Sequence, residues 1–206
     1  MSKTLLAPLA IAALLAVGCD RSEPEQPAEN AAADAVDTPA ATATPAPAAP
    51  LPLVDFTLAD MAGETRSSSE WEGRPRLVNF WATWCAPCRR EIPLLKETQE
   101  KYGDLNLQVI GIAVDFQEDV EAYAEEAQFN YPILVGQEDA MAVAESSGVD
   151  FIGLPFTMVV SPSGELIKTH IGEIVEEHID AITDVFAQME RGELDVAGAR
   201  EALGPI

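Results

Sequence analysis

A chain of 206 residues with 48% hydrophobic content is long enough for one domain of ordinary size, with its own core, plus appendages. Its 35 acidic against 12 basic residues leave a formal charge of −23, which argues against nucleic acid as a partner, because a binder needs a basic face. The acidity is spread along the chain and reads as a solvated, self-repelling surface, a composition that adaptation to salty surroundings would also produce.

The N-terminus reads as an export signal over residues 1–18. Lys3 supplies positive charge ahead of an apolar run from Leu5 to Val17, interrupted early by Pro8. A membrane-spanning helix needs roughly 20 apolar residues, so this run is too short to be one. It ends in Leu15-Ala16-Val17-Gly18-Cys19, which resembles the lipobox of bacterial lipoproteins, with Ala16 where leucine is preferred. The resemblance implies lipidation of Cys19 and an anchor in the membrane. Ordinary signal cleavage would instead leave Cys19 as an odd free thiol. Asp20 resembles the signal that retains enterobacterial lipoproteins in the inner membrane.

Residues 19–52 are rich in Ala, Pro, Thr and acidic side chains and contain no aromatic residue. Such a segment has little to bury and is expected to be a disordered linker, reaching about 30 Å as a flexible coil. From residue 53 the pattern changes. A strand is predicted over 53–58, a buried strand over 76–81 and a helix over 89–102 carrying Ile92, Leu94 and Leu95 on one face. A second buried strand follows over 107–114, then a helix over 118–128 and a short strand over 132–135. A further helix over 140–147 is closed by Gly148. Strands over 156–160 and 165–170 flank Ser161-Pro162-Ser163-Gly164, a turn signal that makes them a hairpin. A last helix spans 174–189 and stops at Gly192, and the tail 192–206 is uninformative. Strands alternating with helices and closed by a hairpin predict an α/β domain over 53–191, with a central mixed sheet in three layers.

Cys85 and Cys88 are two of only three cysteines. A structural zinc site needs four ligands, and beyond the pair the chain offers only Cys19, His170 and His178, which lack the paired spacing of such sites. Both histidines are expected as solvated surface residues. A purely structural disulfide would close too small a loop to remove much chain entropy. The redox reading gains from position. Between a buried strand and a helix start, Cys85 would meet unpaired backbone N–H groups and the helix dipole, which favour a thiolate. Cys88, one turn on, would be shielded. Cys85 is then the nucleophile and Cys88 the resolving thiol.

The segment 78–88, Val-Asn-Phe-Trp-Ala-Thr-Trp-Cys-Ala-Pro-Cys, resembles the active-site segment of the thioredoxin superfamily. Arg89-Arg90-Glu91-Ile92-Pro93 narrows the likeness to the membrane-anchored TlpA and ResA branch. Phe56-Thr57-Leu58-Ala59-Asp60 and Gly153-Leu154-Pro155-Phe156-Thr157 match in the same order, so the likeness covers about residues 53–190. It implies a thioredoxin-like fold and a cis-proline at Pro155 across from the cysteines. A client strand would dock through Leu154, Thr157 and an exposed Trp84, while Trp81 packs in the core. Asn79 departs from the buried aspartate of thioredoxin itself, and Glu91 matches a glutamate of the ResA-like branch. If partly buried, that glutamate would have a raised pKa and exchange protons with the thiols; otherwise it is a surface helix residue.

The resemblance also implies thiol–disulfide exchange without metal or organic cofactor. Its partners would be disulfide-bearing exported proteins, such as those of cytochrome c maturation or metal-site assembly, and a membrane electron donor of the DsbD or CcdA type. The location would be the periplasmic side of the bacterial cell envelope, and the favoured direction reduction. Two alternatives belong to other classes. A peroxiredoxin-type thiol peroxidase would share the leading strand 56–60 but sets its cysteine in Pro-xxx-Thr-xx-Cys, and Ala82 stands at the threonine offset. A non-catalytic binding protein could keep the fold alone.

Overall fold

The computed structural model describes residues 54–103, 106–148, 150 and 152–204. The predicted export signal 1–18, Cys19 and the predicted linker 19–52 lie outside the described residues, as does residue 53, the start of the first predicted strand.

Two mostly apolar runs make the centre of the sheet. Arg76–Trp81 (β3) is buried at every position and pairs in parallel with Gln108–Val114 (β4), as expected of strands covered on both faces. The full order is β2-β1-β5-β4-β3-β6-β7, with β1 Thr57–Asp60, β2 Thr65–Ser67, β5 Ile133–Gly136, β6 Phe156–Val160 and β7 Leu166–Ile171. β5 continues the parallel set beside β4, while β1, β2, β6 and β7 join antiparallel. The sheet is therefore mixed, and β6–β7 is the expected hairpin.

Alternation along β3 sends successive side chains to opposite layers. Leu77 and Trp81 face a cluster that holds Ile92 and Leu95 of α1 Ala86–Tyr102 and Ile179, Ile182 and Val185 of α4 Glu176–Glu190. Val78 and Phe80 face Ala140, Val143 and Ala144 of α3 Glu138–Ser146, with Phe56 and Trp71. α2 Gln117–Ala127 adds Val120 to the first cluster. Gly111 pairs with Asn79, and a Cβ there would lie 2.7 Å from Ile133 Cδ1 and 3.1 Å from Trp81 Nε1. Its bare backbone makes room for the Trp81 indole.

Three elements differ from expectation. The tail 192–206 holds α5 Val196–Leu203, capped by the Asp195 side chain on the Gly198 N–H. Ala199 and Leu203 join the core, and Arg200 donates to the Leu166 carbonyl of β7, so the domain extends past Arg191. A 3-10 turn, Ser68–Trp71, follows β2; Ser67 and Glu70 close it with a reciprocal capping box. Finally, α1 begins at Ala86, a turn before the predicted residue 89, because Pro87 lies in the first turn, where its missing N–H costs nothing.

Candidate active site

Cys85 is the N-cap of α1, and its sulfur accepts the Cys88 N–H at 3.3 Å. The two residues are joined as a disulfide with Cα atoms 5.3 Å apart. Cys88 is fully buried and Cys85 nearly so, while Trp84 is 70% exposed beside them and Trp81 lies in the core. The Thr83 N–H and hydroxyl both donate to Asp115 Oδ2, at 2.9 and 2.6 Å, and Asp115 Oδ1 accepts the Phe116 N–H. That carboxylate, just beyond β4, fixes the loop carrying Trp84 and Cys85. Its role carries no local sequence signal, because Thr83 lies 32 positions earlier.

The Leu154–Pro155 peptide is cis, as the resemblance implied. Gly153, at a φ of 150°, leads into it, and the Pro155 carbonyl accepts the Gly172 N–H at 2.9 Å. Leu154 is partly exposed, at the same end of the sheet as the cysteines, since Phe80 pairs with Phe156. Thr157 corrects an expectation. It is 0% exposed, in the interior of β6 opposite Asn79, and its hydroxyl accepts the Asn79 side-chain N–H at 3.1 Å. It belongs to a buried polar network and touches no docking surface.

Glu91 is the centre of that network and is 1% exposed. Its Oε1 accepts the Asn79 Nδ2–H at 2.7 Å and its Oε2 the Ile174 N–H at 2.7 Å. Burial raises its pKa to about 7, against the opposing pull of the Ile174 and Asn79 hydrogen bonds; the nearby Glu173 charge raises it further. The surface alternative for Glu91 is therefore set aside. Where thioredoxin has a carboxylate on the strand, this chain has an amide on the strand and the carboxyl on the helix, one turn after Cys88.

The neighbouring cations point elsewhere. Arg89 stacks over the Tyr123 ring, its guanidinium carbon 5.3 Å from the centroid, and Arg90 Nε donates to Glu173 at 3.0 Å. His170 is a second correction. It is 6% exposed on β7, packed against the half-buried His178 with ring centroids 4.1 Å apart. The parity of β7 explains it, since His170 pairs with the buried Thr157 while Ile171 faces out. Among the described residues, no group of three or more His, Cys, Asp or Glu side chains is placed to hold a metal ion.

The arrangement supplies a two-cysteine couple at a helix N-terminus, an apolar exposed flank and a buried acid titrating near neutrality. The AhpC/TSA family profile matches residues 49–169, more than half of the chain. The thioredoxin-like protein YneN of Bacillus subtilis is 28% identical over 137 residues, 64% of this chain and 76% of its own. The thiol-disulfide oxidoreductase ResA of Geobacillus kaustophilus is 30% identical over 133 residues, 62% of this chain and 74% of its own. Among solved structures, a thiol:disulfide interchange protein of the thioredoxin family from Chlorobium tepidum superposes with a TM-score of 0.61 at 28% identity, covering 68% of this chain and 97% of the other. The chain belongs to the AhpC/TSA family, and it is a protein thiol–disulfide oxidoreductase whose redox couple is the Cys85–Cys88 pair.

Proposed function

We propose that the protein is a lipid-anchored reductase of disulfides in exported proteins, held on the periplasmic side of the inner membrane through Cys19. The reduced Cys85 thiolate attacks a client disulfide, one client sulfur leaves as thiolate, and a mixed disulfide forms. Cys88 then gives up its proton and attacks Cys85 Sγ, which releases the second client thiol and leaves the Cys85–Cys88 disulfide. Two electrons and two protons pass to the client, and the cysteine sulfurs suffice without metal or organic cofactor.

The observation that carries this reading is Glu91, buried one turn beyond Cys88 and with a pKa of about 7. A buried carboxyl of that affinity, on the same helix one turn from Cys88, is suited to take up the Cys88 proton and return it near neutral pH. Leu154, beside cis-Pro155, offers backbone for a client strand, and exposed Trp84 an apolar contact. An exported dithiol sits in an oxidising compartment and needs an electron supply, which a membrane donor of the DsbD or CcdA type would give. Clients of cytochrome c maturation or metal-site assembly fit that setting. Ala82, a buried methyl at the threonine offset, gives the peroxidase alternative no support.

The test is a Cys88→Ser variant expressed with its export signal. It should accumulate disulfide-linked complexes with exported proteins that dissolve under reductant and vanish in Cys85→Ser. Absence of any such complex would overturn the reading.

A further inference from the structure

The segment Gly172-Glu173-Ile174, between β7 and α4, bonds to Pro155, Arg90 and Glu91 around the site. Gly172 bonds the Pro155 carbonyl, the Glu173 carboxylate pairs with Arg90, and the Ile174 N–H donates to Glu91. The carbonyl of Glu173 lies 3.2 Å from His170 Nε2. A carbonyl only accepts, so His170 carries its proton on Nε2. The Glu173 C=O and the Ile174 N–H are two ends of one peptide group. His170 thus donates to one end, and the other end donates to Glu91.

We propose that His170 is a positioning residue for Glu91, orienting and polarising the Glu173–Ile174 peptide whose N–H stabilises the Glu91 carboxylate. Hydrogen bonds in such a chain strengthen one another in a low-dielectric interior. The ring is itself held in place: it pairs across the strands with Thr157 and packs against His178, whose Nδ1 accepts the Val175 N–H at 3.2 Å. His178 is pushed down in pKa by burial and by His170. Other charges around the clasp include Glu173, which pairs with Arg90, Glu177, which acts on His178, and the carboxyl of Glu91 itself. Tyr131, buried and raised in pKa by burial and the nearby Glu91, stays neutral.

The inference concerns the proton affinity of Glu91 and rests on the proposed function only for its consequence in thiol chemistry. Two variants separate positioning from bulk structure. His170→Gln keeps an N–H donor and cannot titrate near neutrality, whereas His170→Leu removes the donor. The oxidised full chain, labelled with 13C at glutamate carboxyls, is titrated by NMR; Glu91 stands apart because it titrates near neutral pH. In His170→Leu its midpoint should rise by about half to one pH unit, the loss of part of one hydrogen bond to a charged group, and in His170→Gln it should stay within ~0.3 units of the parent. An unmoved midpoint in His170→Leu, or equal shifts in both variants, would overturn the proposal. The pH profile of Cys85 alkylation in the reduced protein is the second readout. Its step should follow the NMR midpoint in His170→Leu and be lost from both single and double variants carrying Glu91→Gln. A moved NMR midpoint with an unmoved alkylation profile would keep the clasp and overturn the proton-carrier role of Glu91.

Discussion

Replacing Glu91 by glutamine should change how stability depends on pH more than it changes stability itself. The carboxyl is raised from its ordinary 4.5 to about 7 by burial. A carboxyl whose folded pKa is raised binds its proton more tightly in the native state, so its stabilising contribution is complete below its unfolded pKa. It is lost as pH rises through the folded value. For a rise of about 2.5 units the loss between about pH 5 and about pH 8 is of order 2.5 kcal/mol. Glutamine resembles the protonated acid and can still accept the Ile174 N–H through its oxygen, but it cannot ionise. Urea unfolding of the oxidised proteins across that range should therefore show the parent losing stability relative to Glu91→Gln by about 2.5 kcal/mol, with the divergence steepest at about pH 6, between the unfolded and folded values. Parallel stability curves for the two proteins would refute the claim that this carboxyl is ionised at the expense of the fold.

Two further substitutions probe the same network and its support. Asn79→Asp places a second carboxyl against Glu91, where the amide now donates at 2.7 Å; the two acids should share a proton, so the melting temperature should fall on raising pH from about 5 to about 8 more steeply than in the parent, by thermal unfolding monitored by circular dichroism. Asp115→Ala strips the Thr83 N–H and hydroxyl of their acceptor; a loss of about 2–3 kcal/mol in urea unfolding is expected, with slower reaction of the reduced protein toward disulfide-containing peptides.

Much of this organisation was legible in the residues. The mostly apolar runs of β3 and β4 marked buried strands, and the cysteine spacing between strand and helix marked the redox pair, because both signals are local. α5 was missed although Val196, Ala199 and Leu203 lie on one helical face behind an Asp195 cap, since a helix of 8 residues stands out only against the β7 surface it covers. The 3-10 turn before β3 carried a readable capping signal in Ser67 and Glu70, and it brings Trp71 into the core. The polar interior was harder to read. Whether Glu91, Thr157 and His170 face solvent depends on which layer covers β3, β6 and β7, a tertiary fact. A carboxyl at an ordinary helical position gives no sign that an asparagine 12 positions earlier will donate to it.

The measurement that bears most directly on the account is the reduction potential of the Cys85–Cys88 couple, by equilibration with dithiothreitol or glutathione buffers. A reductase should lie below about −220 mV, near the thioredoxin range, and a value at about −180 mV or above would contradict the proposed direction of electron flow.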